Sequence, residues 1–385
     1  MCSRQDKDSR GRIVFIASQQ SFAAHSHMQT KLSRRKVLSG LGLLSAMLAA
    51  GIAIDDIDFD QFGSVALGAE EDGLVPLFYS KGYNITAFGL EHLHPFDGTK
   101  YARIHSALIE SGLRKSGNFT LPQSLTEADL LQIHTKEYLK SLKSNSVLRR
   151  ILEVHALSAF PNNIIDWRIL KPMRLASGGT LAACHAALSK GLAINIGGGY
   201  HHADRSAGGG FCVYCDGPIA IKILREKGLV KRALIVDTDA HQGNGFANVA
   251  REEPTLFTLD FFDESIYPYP KVKEDWSVPF PRKTSGATYL TELKNILPAA
   301  LDKFKPELIL YNAGSDVLAS DPLSTLQLSV DDMSERDLYV VSTARERQIP
   351  LAMVLAGGYS KESALAHSQS IKAIIGKFDK LKHQT

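Results

Sequence analysis

The sequence predicts a single three-layer α/β/α domain with a central, mostly parallel sheet. Short, nearly all-apolar runs recur along the chain, stretches of helical periodicity separate them, and no repeat or low-complexity linker divides residues 73–385. Strands that are apolar throughout must be covered on both faces, which is how parallel sheets are built. The first strand is expected over Leu74–Tyr79. A helix over Met173–Ser189, closed by Gly191, leads to a strand over Ala193–Ile196, and a helix over Pro218–Glu226, closed by Gly228, leads to one over Ala233–Asp239. A strand over Thr255–Leu259 follows. The helix Tyr289–Phe304 stops before Pro306 and feeds the strand Leu308–Tyr311, then a helix over Asp331–Arg347, a strand over Leu351–Leu355 and a last helix over Ser363–Lys380.

With 44% hydrophobic and 22% charged residues in 385, the chain can bury a core, which excludes a disordered or collagen-like polymer. Its net charge of +3 is unevenly spread. Residues 1–54 carry eight basic side chains (Arg4, Lys7, Arg10, Arg12, Lys31, Arg34, Arg35, Lys36) against Asp6 and Asp8, so the rest of the chain is at −3. The basic excess therefore belongs to a leader, and no direct nucleic-acid binding is expected of the domain.

Residues 1–72 read as an N-terminal leader and linker, and 73–385 as the single folded domain. In the leader, Arg34-Arg35-Lys36 precedes an apolar run from Val37 to Ile54, 18 residues diluted by Ser39, Gly40, Gly42, Ser45 and Gly51. Three readings fit: a removable transit or signal segment, a retained membrane anchor, and an unstructured tail. The paired arginines resemble a twin-arginine signal, and the acid-poor stretch before them a plastid or mitochondrial transit peptide. Membrane contact is expected only if the leader is retained. Four cysteines cannot make a disulfide scaffold, and the single pair Cys212-x-x-Cys215 cannot complete a structural zinc site.

In open parallel sheets the chemistry gathers in the loops at the carboxyl ends of the strands. Four expected strands end in residues of that kind. Asp237-Thr238-Asp239-Ala240-His241 places acids and an imidazole at every second position, the donor types a borderline metal such as zinc accepts; as a bare motif it also suits a turn whose acids cap the next helix. Asp316 follows the strand Leu308–Tyr311 and offers another carboxylate. Gly197-Gly198-Gly199 leads into His201-His202, a pair placed for proton transfer. Ala356-Gly357-Gly358-Tyr359 ends in a phenol able to donate to an oxyanion. Together they suit metal-assisted hydrolysis of an amide.

These residues, with Gly210-Phe211-Cys212, Gln242-Gly243-Asn244-Gly245 and Asn312-Ala313-Gly314, resemble the zinc-dependent histone deacetylases of the arginase–deacetylase superfamily. His94-Pro95-Phe96-Asp97 and the Gln242–Gly245 run look most like the class IV branch. The resemblance implies the arginase–deacetylase fold, zinc on Asp239, His241 and Asp316, and His202 as general base and then acid. It makes His201, paired with Asp237, an electrostatic partner and Tyr359 the residue that polarises the acyl carbonyl. Gly210 and Phe211 would line the tube for the lysine stem, with Phe262 opposite, and Gly357 and Gly358 would also bind substrate. It also implies a structural potassium ion, K(+), near Asp237, Asp239 and His241. Where some relatives pair the second histidine with an aspartate, this chain has Asn244, which makes His202 the less basic of the two.

The expected reaction is Zn(2+)-dependent hydrolysis of acetyl-lysine amides in histone tails or other acyl-lysine proteins, with corepressor-type proteins as further partners. Acetylpolyamine hydrolysis, long-chain lysine deacylation and a catalytically silent acyl-lysine-binding scaffold remain alternatives. The two-manganese ureohydrolases need a carboxylate where this chain has Gly243. The resemblance suggests nucleus or cytoplasm, whereas the leader suggests a plastid or other organelle.

Overall fold

The structure is a computed structural model, described here for residues 73–85, 96–154, 157 and 160–380. All of them lie in the unit Asp58–Thr385. The expected leader, and His94 and Pro95 of the His94–Asp97 motif, lie outside the described residues.

Eight strands form one all-parallel sheet: β1 (Leu77–Phe78), β2 (Phe119–Thr120), β3 (Leu192–Asn195), β4 (Ala233–Asp237), β5 (Leu256–Asp263), β6 (Trp276–Phe280), β7 (Leu308–Asn312) and β8 (Leu351–Val354). Their spatial order is β2-β1-β3-β8-β7-β4-β5-β6. Every residue of β3, β4, β7 and β8 is buried, because helices cover both faces. Helices Lys171–Lys190, Asp216–Glu226 and Asn244–Ala250 form one layer, and Lys100–Glu110, Gly286–Phe304, Val330–Glu346 and Ser363–Phe378 the other.

All six expected strands are present, though the first shrinks to two residues. The two strands that continuous apolar runs do not reveal, β2 and β6, are the sheet edges. In β6 exposed and buried residues alternate, and Pro279 is tolerated because an edge strand pairs on one side only. The helix expected over Met173–Ser189 starts earlier, with Pro172 in its first turn and a π-helical turn, Asp166–Leu170, before it. Among the described residues no helix is long and apolar enough to cross a membrane.

The topology brings together strands far apart in sequence. β3, β8, β7 and β4, whose ends carry the chemistry-bearing residues, are the four contiguous strands at the centre of the sheet.

Candidate active site

Just past β4 the chain leaves the strand in two overlapping side-chain turns. The Asp239 N–H donates to Asp237 Oδ1 at 3.1 Å, and the His241 N–H donates to Asp239 Oδ1 at 3.0 Å. Each carboxylate accepts from the amide two residues on, the habit that makes aspartate a turn residue. This, rather than continued strand alternation, aims Asp239 and His241 at Asp316.

His241 Nδ1 lies 2.8 Å from Asp316 Oδ2 and 3.2 Å from Asp239 Oδ1. The second oxygen of each carboxylate is tied to backbone: Asp239 Oδ2 accepts from Gly357 N–H at 2.8 Å, and Asp316 Oδ1 from Ala240 N–H at 2.8 Å. All three side chains are buried, and one donor atom from each lies within 4.8 Å of the others. Burial pushes Asp316 up to about 7, reinforced by Asp239. Burial would lower His241, but its hydrogen bonds to Asp239 and Asp316 outweigh that and raise it to about 10. Two buried carboxylates thus pull positive charge towards one imidazole, an environment that a divalent cation satisfies, and oxygen, nitrogen and oxygen donors suit zinc.

The two histidines after β3 are set apart by their partners. His201 Nδ1 lies 2.8 Å from Asp237 Oδ2, and Asn312 Nδ2 donates to Asp237 Oδ1 at 2.8 Å. Burial works against charge on His201, yet Asp237 and Asp239 prevail and raise it to about 9. His202 Nδ1 lies 2.6 Å from Asn244 Oδ1. An amide oxygen can only accept, so Nδ1 carries the proton and Nε2 keeps its lone pair. Burial, then the nearby His201 and His241, hold His202 well below its usual range. The two histidines are thus pushed in opposite directions, His201 towards its charged form and His202 towards its neutral one.

Gly210 approaches the ring of His202 so closely that a Cβ there would sit 2.3 Å from His202 Cδ2, and its φ of +49° also favours glycine. Phe211 packs edge-on to Tyr359, with centroids 5.7 Å apart, and Tyr359 packs edge-on to His241 at 6.1 Å. Beside them lies one cavity of about 1100 Å³, open mouth included, whose lining includes the apolar side chains of Leu152, Phe160, Ile164, Ile169 and Met173. Gly210, Phe211 and Gly357 line it, as do His201, His202, Asp239 and Tyr359; Gly358 does not, its missing Cβ leaving room for Ser315 Oγ.

Phe262 is also absent from the lining. Strand β5 runs to Asp263, so Phe262 stays within the strand, buried, with Lys271 Nζ 5.2 Å from its ring centroid. Tyr267, from the next loop, stands edge-on to His202 instead, with centroids 4.9 Å apart. The resemblance implied a place for Phe262 opposite Phe211; the strand instead extends past it and holds it buried away from the cavity.

Lys100, Asp321 and Arg336, ions buried around the site, carry no motif. Arg336 is fully buried and donates through Nη1 to Thr238 O and Gly314 O, at 2.9 and 2.8 Å, bracing the loops after β4 and β7. Cys212 and Cys215 are free, buried thiols whose ionisation burial suppresses.

The sequence profile of the histone deacetylase domain matches residues 94–375. Histone deacetylase 2 of Arabidopsis thaliana is 38% identical over 301 residues, 77% of this chain and 78% of that protein. Among solved structures, the HD domain of HDA15 superposes with a TM-score of 0.65 at 18% identity, covering 80% of this chain and 91% of that one. An acetylpolyamine aminohydrolase from Burkholderia pseudomallei superposes with a TM-score of 0.62, also at 18% identity, covering 78% of this chain and 98% of the other.

Proposed function

Since the chain belongs to the histone deacetylase family, and is thus a hydrolase of amides, we propose that it is a zinc-dependent hydrolase of N-ε-acyl-lysine side chains in acetylated proteins. One observation carries the proposal: His241, of the buried set Asp239, His241 and Asp316, packs against the rings of both His202 and Tyr359, which line a largely apolar cavity. A zinc ion held by those three side chains would supply Lewis-acid polarisation of the acyl carbonyl and a more acidic water.

The remaining work falls to this chain. Gly210 and Phe211 take the uncharged lysine stem, whose charge acylation has removed. His202 Nε2 accepts the proton of the attacking water, the Nδ1–H bond to Asn244 fixing the tautomer. Cationic His201, held by Asp237, stabilises the negative charge that develops beside it. The Tyr359 hydroxyl donates to the oxygen that becomes the oxyanion, and burial, which keeps the phenol protonated, preserves that donor. His202 then returns its proton to the lysine nitrogen as the C–N bond breaks, leaving free lysine and a carboxylate.

The apolar lining favours a second reading, in which longer acyl chains are also removed. Ile164, Ile169 and Met173 line the same cavity as Phe211 and Asp239, and each methylene buried against them would add about 0.8 kcal/mol of binding. Turnover of peptides bearing acetyl-, octanoyl- or myristoyl-lysine, beside acetylpolyamines, tests both readings. Lysine peptides are expected to win by at least an order of magnitude in kcat/KM. A preference for acetylpolyamines would overturn the protein substrate, and a loss of turnover beyond acetyl would overturn the second reading.

A further inference from the structure

The turn after β8 is held from both sides by buried ions that the reaction does not use. Lys100, at the start of helix Lys100–Glu110, is 0% exposed, and its Nζ donates to Ala356 O at 2.8 Å and Gly357 O at 3.0 Å. The rings of Phe96 and Tyr101 lie beneath it, 5.2 and 5.6 Å from Nζ. Among the described residues no carboxylate stands within ion-pair distance of it. On the other side Asp321, 5% exposed, accepts on Oδ2 from the N–H groups of Tyr359 at 2.7 Å and Ser360 at 3.0 Å, while Oδ1 accepts from Leu323 N–H at 3.0 Å.

Between these ions Ala356 is held at φ +48°, and Gly358 takes φ +131°, which its missing side chain allows. A non-glycine residue in that region persists only where its surroundings over-determine it. Burying an ammonium without a carboxylate partner is itself unfavourable, and a methionine of similar length would fill the space without that penalty. Burial draws Lys100 down to about 8, opposed by the fields of Asp316, Asp239, Asp321 and Asp97. What the charge achieves here is two strong bonds to the carbonyls of one turn.

We propose that Lys100 and Asp321 form a clamp, cation on carbonyls and anion on amides, that positions Tyr359 for the acyl carbonyl and, through Gly357 N–H, orients Asp239. The inference rests on the deacylase reading of the same site. Both are positioning residues, since neither reaches the reacting atoms.

The test is a double-mutant cycle on the full chain with an acetyl-lysine peptide, using Lys100→Met, Lys100→Arg and Tyr359→Phe. Lys100→Met should lower kcat by roughly 30-fold with KM within about twofold of wild type, and Lys100→Arg should recover most of that loss. The double variant should be no more than about threefold slower than Tyr359→Phe alone, because a displaced phenol and a missing phenol fail alike. Losses that multiply, or an unchanged kcat in Lys100→Met, overturn the clamp. Should Lys100→Met not fold, the same cycle with Asp321→Asn decides between these outcomes.

Hydrogen exchange of the segment Ala356–Ser360 provides a readout independent of turnover. It should quicken about tenfold in Lys100→Met and stay near wild type in Lys100→Arg, and unchanged exchange overturns the clamp. A wild-type chain inactive on every acyl-lysine peptide would instead refute the deacylase reading, leaving the exchange result to judge the clamp.

Discussion

Replacing Asn244 with aspartate would place a carboxylate against Nδ1 of His202, the nitrogen that does not take up the proton of the attacking water. The contact is 2.6 Å from Asn244 Oδ1 to His202 Nδ1 in a buried pocket. A full negative charge about 4 Å from the ring centre, at an effective dielectric near 20, is worth about 4 kcal/mol, or some three pKa units. Desolvating the new carboxylate takes back a large part, so a net rise of about one to two units is expected. Because His202 must be neutral to act as a base, raising its pKa moves the acid limb of the kcat/KM profile to higher pH by the same amount. In the wild type burial, with His201 and His241, holds His202 well below its usual range, so that limb should begin at low pH. A pH-rate series on Asn244→Asp, with Asn244→Leu as the uncharged control, checks the shift. An acid limb that stays in place in Asn244→Asp, or moves equally in Asn244→Leu, would refute His202 as the base.

Three further outcomes are expected. Gly210→Ala, whose Cβ would lie 2.3 Å from His202 Cδ2 at φ +49°, should destabilise the chain by about 1–2 kcal/mol and lower kcat at least tenfold; chemical denaturation and steady-state kinetics measure both, and wild-type values would show that the close approach is dispensable. Removing metal with a chelator should abolish turnover and lower Tm, and zinc at about a thousand times its Kd should restore about 4 kcal/mol of stability in the wild type but not in His241→Ala; equal restoration in both would place the metal elsewhere. Arg114→Met breaks a buried bidentate pair in which Nη1 and Nη2 reach Asp379 at 2.6 and 2.9 Å, and should cost about 3–5 kcal/mol without altering kcat of the folded fraction; a denaturation midpoint within error of wild type would count against it.

The central fold was legible because its strands are apolar on both faces and punctuated by glycine and proline. Edge strands β2 and β6 were not, since an edge alternates or shortens and loses the continuous apolar signal. Residues reaching the site from strand ends were legible for a related reason: Asp239, His241 and Asp316 follow directly on apolar runs. What sequence order hides is adjacency, for β8 lies between β3 and β7 only in space. Tyr267 escaped notice because it sits on an irregular loop after β5. Lys100 and Arg336 escaped because a basic residue on a helix reads as solvated surface until tertiary packing buries it.

The decisive measurement is release of free lysine from an acetyl-lysine peptide by metal-stripped chain titrated with zinc, beside Tyr359→Phe. Turnover should rise to a plateau at one zinc per chain and fall at least about a hundredfold in Tyr359→Phe, as removal of an oxyanion donor requires. Full activity reached only at two metal ions per chain, or equal turnover without Tyr359's hydroxyl, would contradict the proposed function.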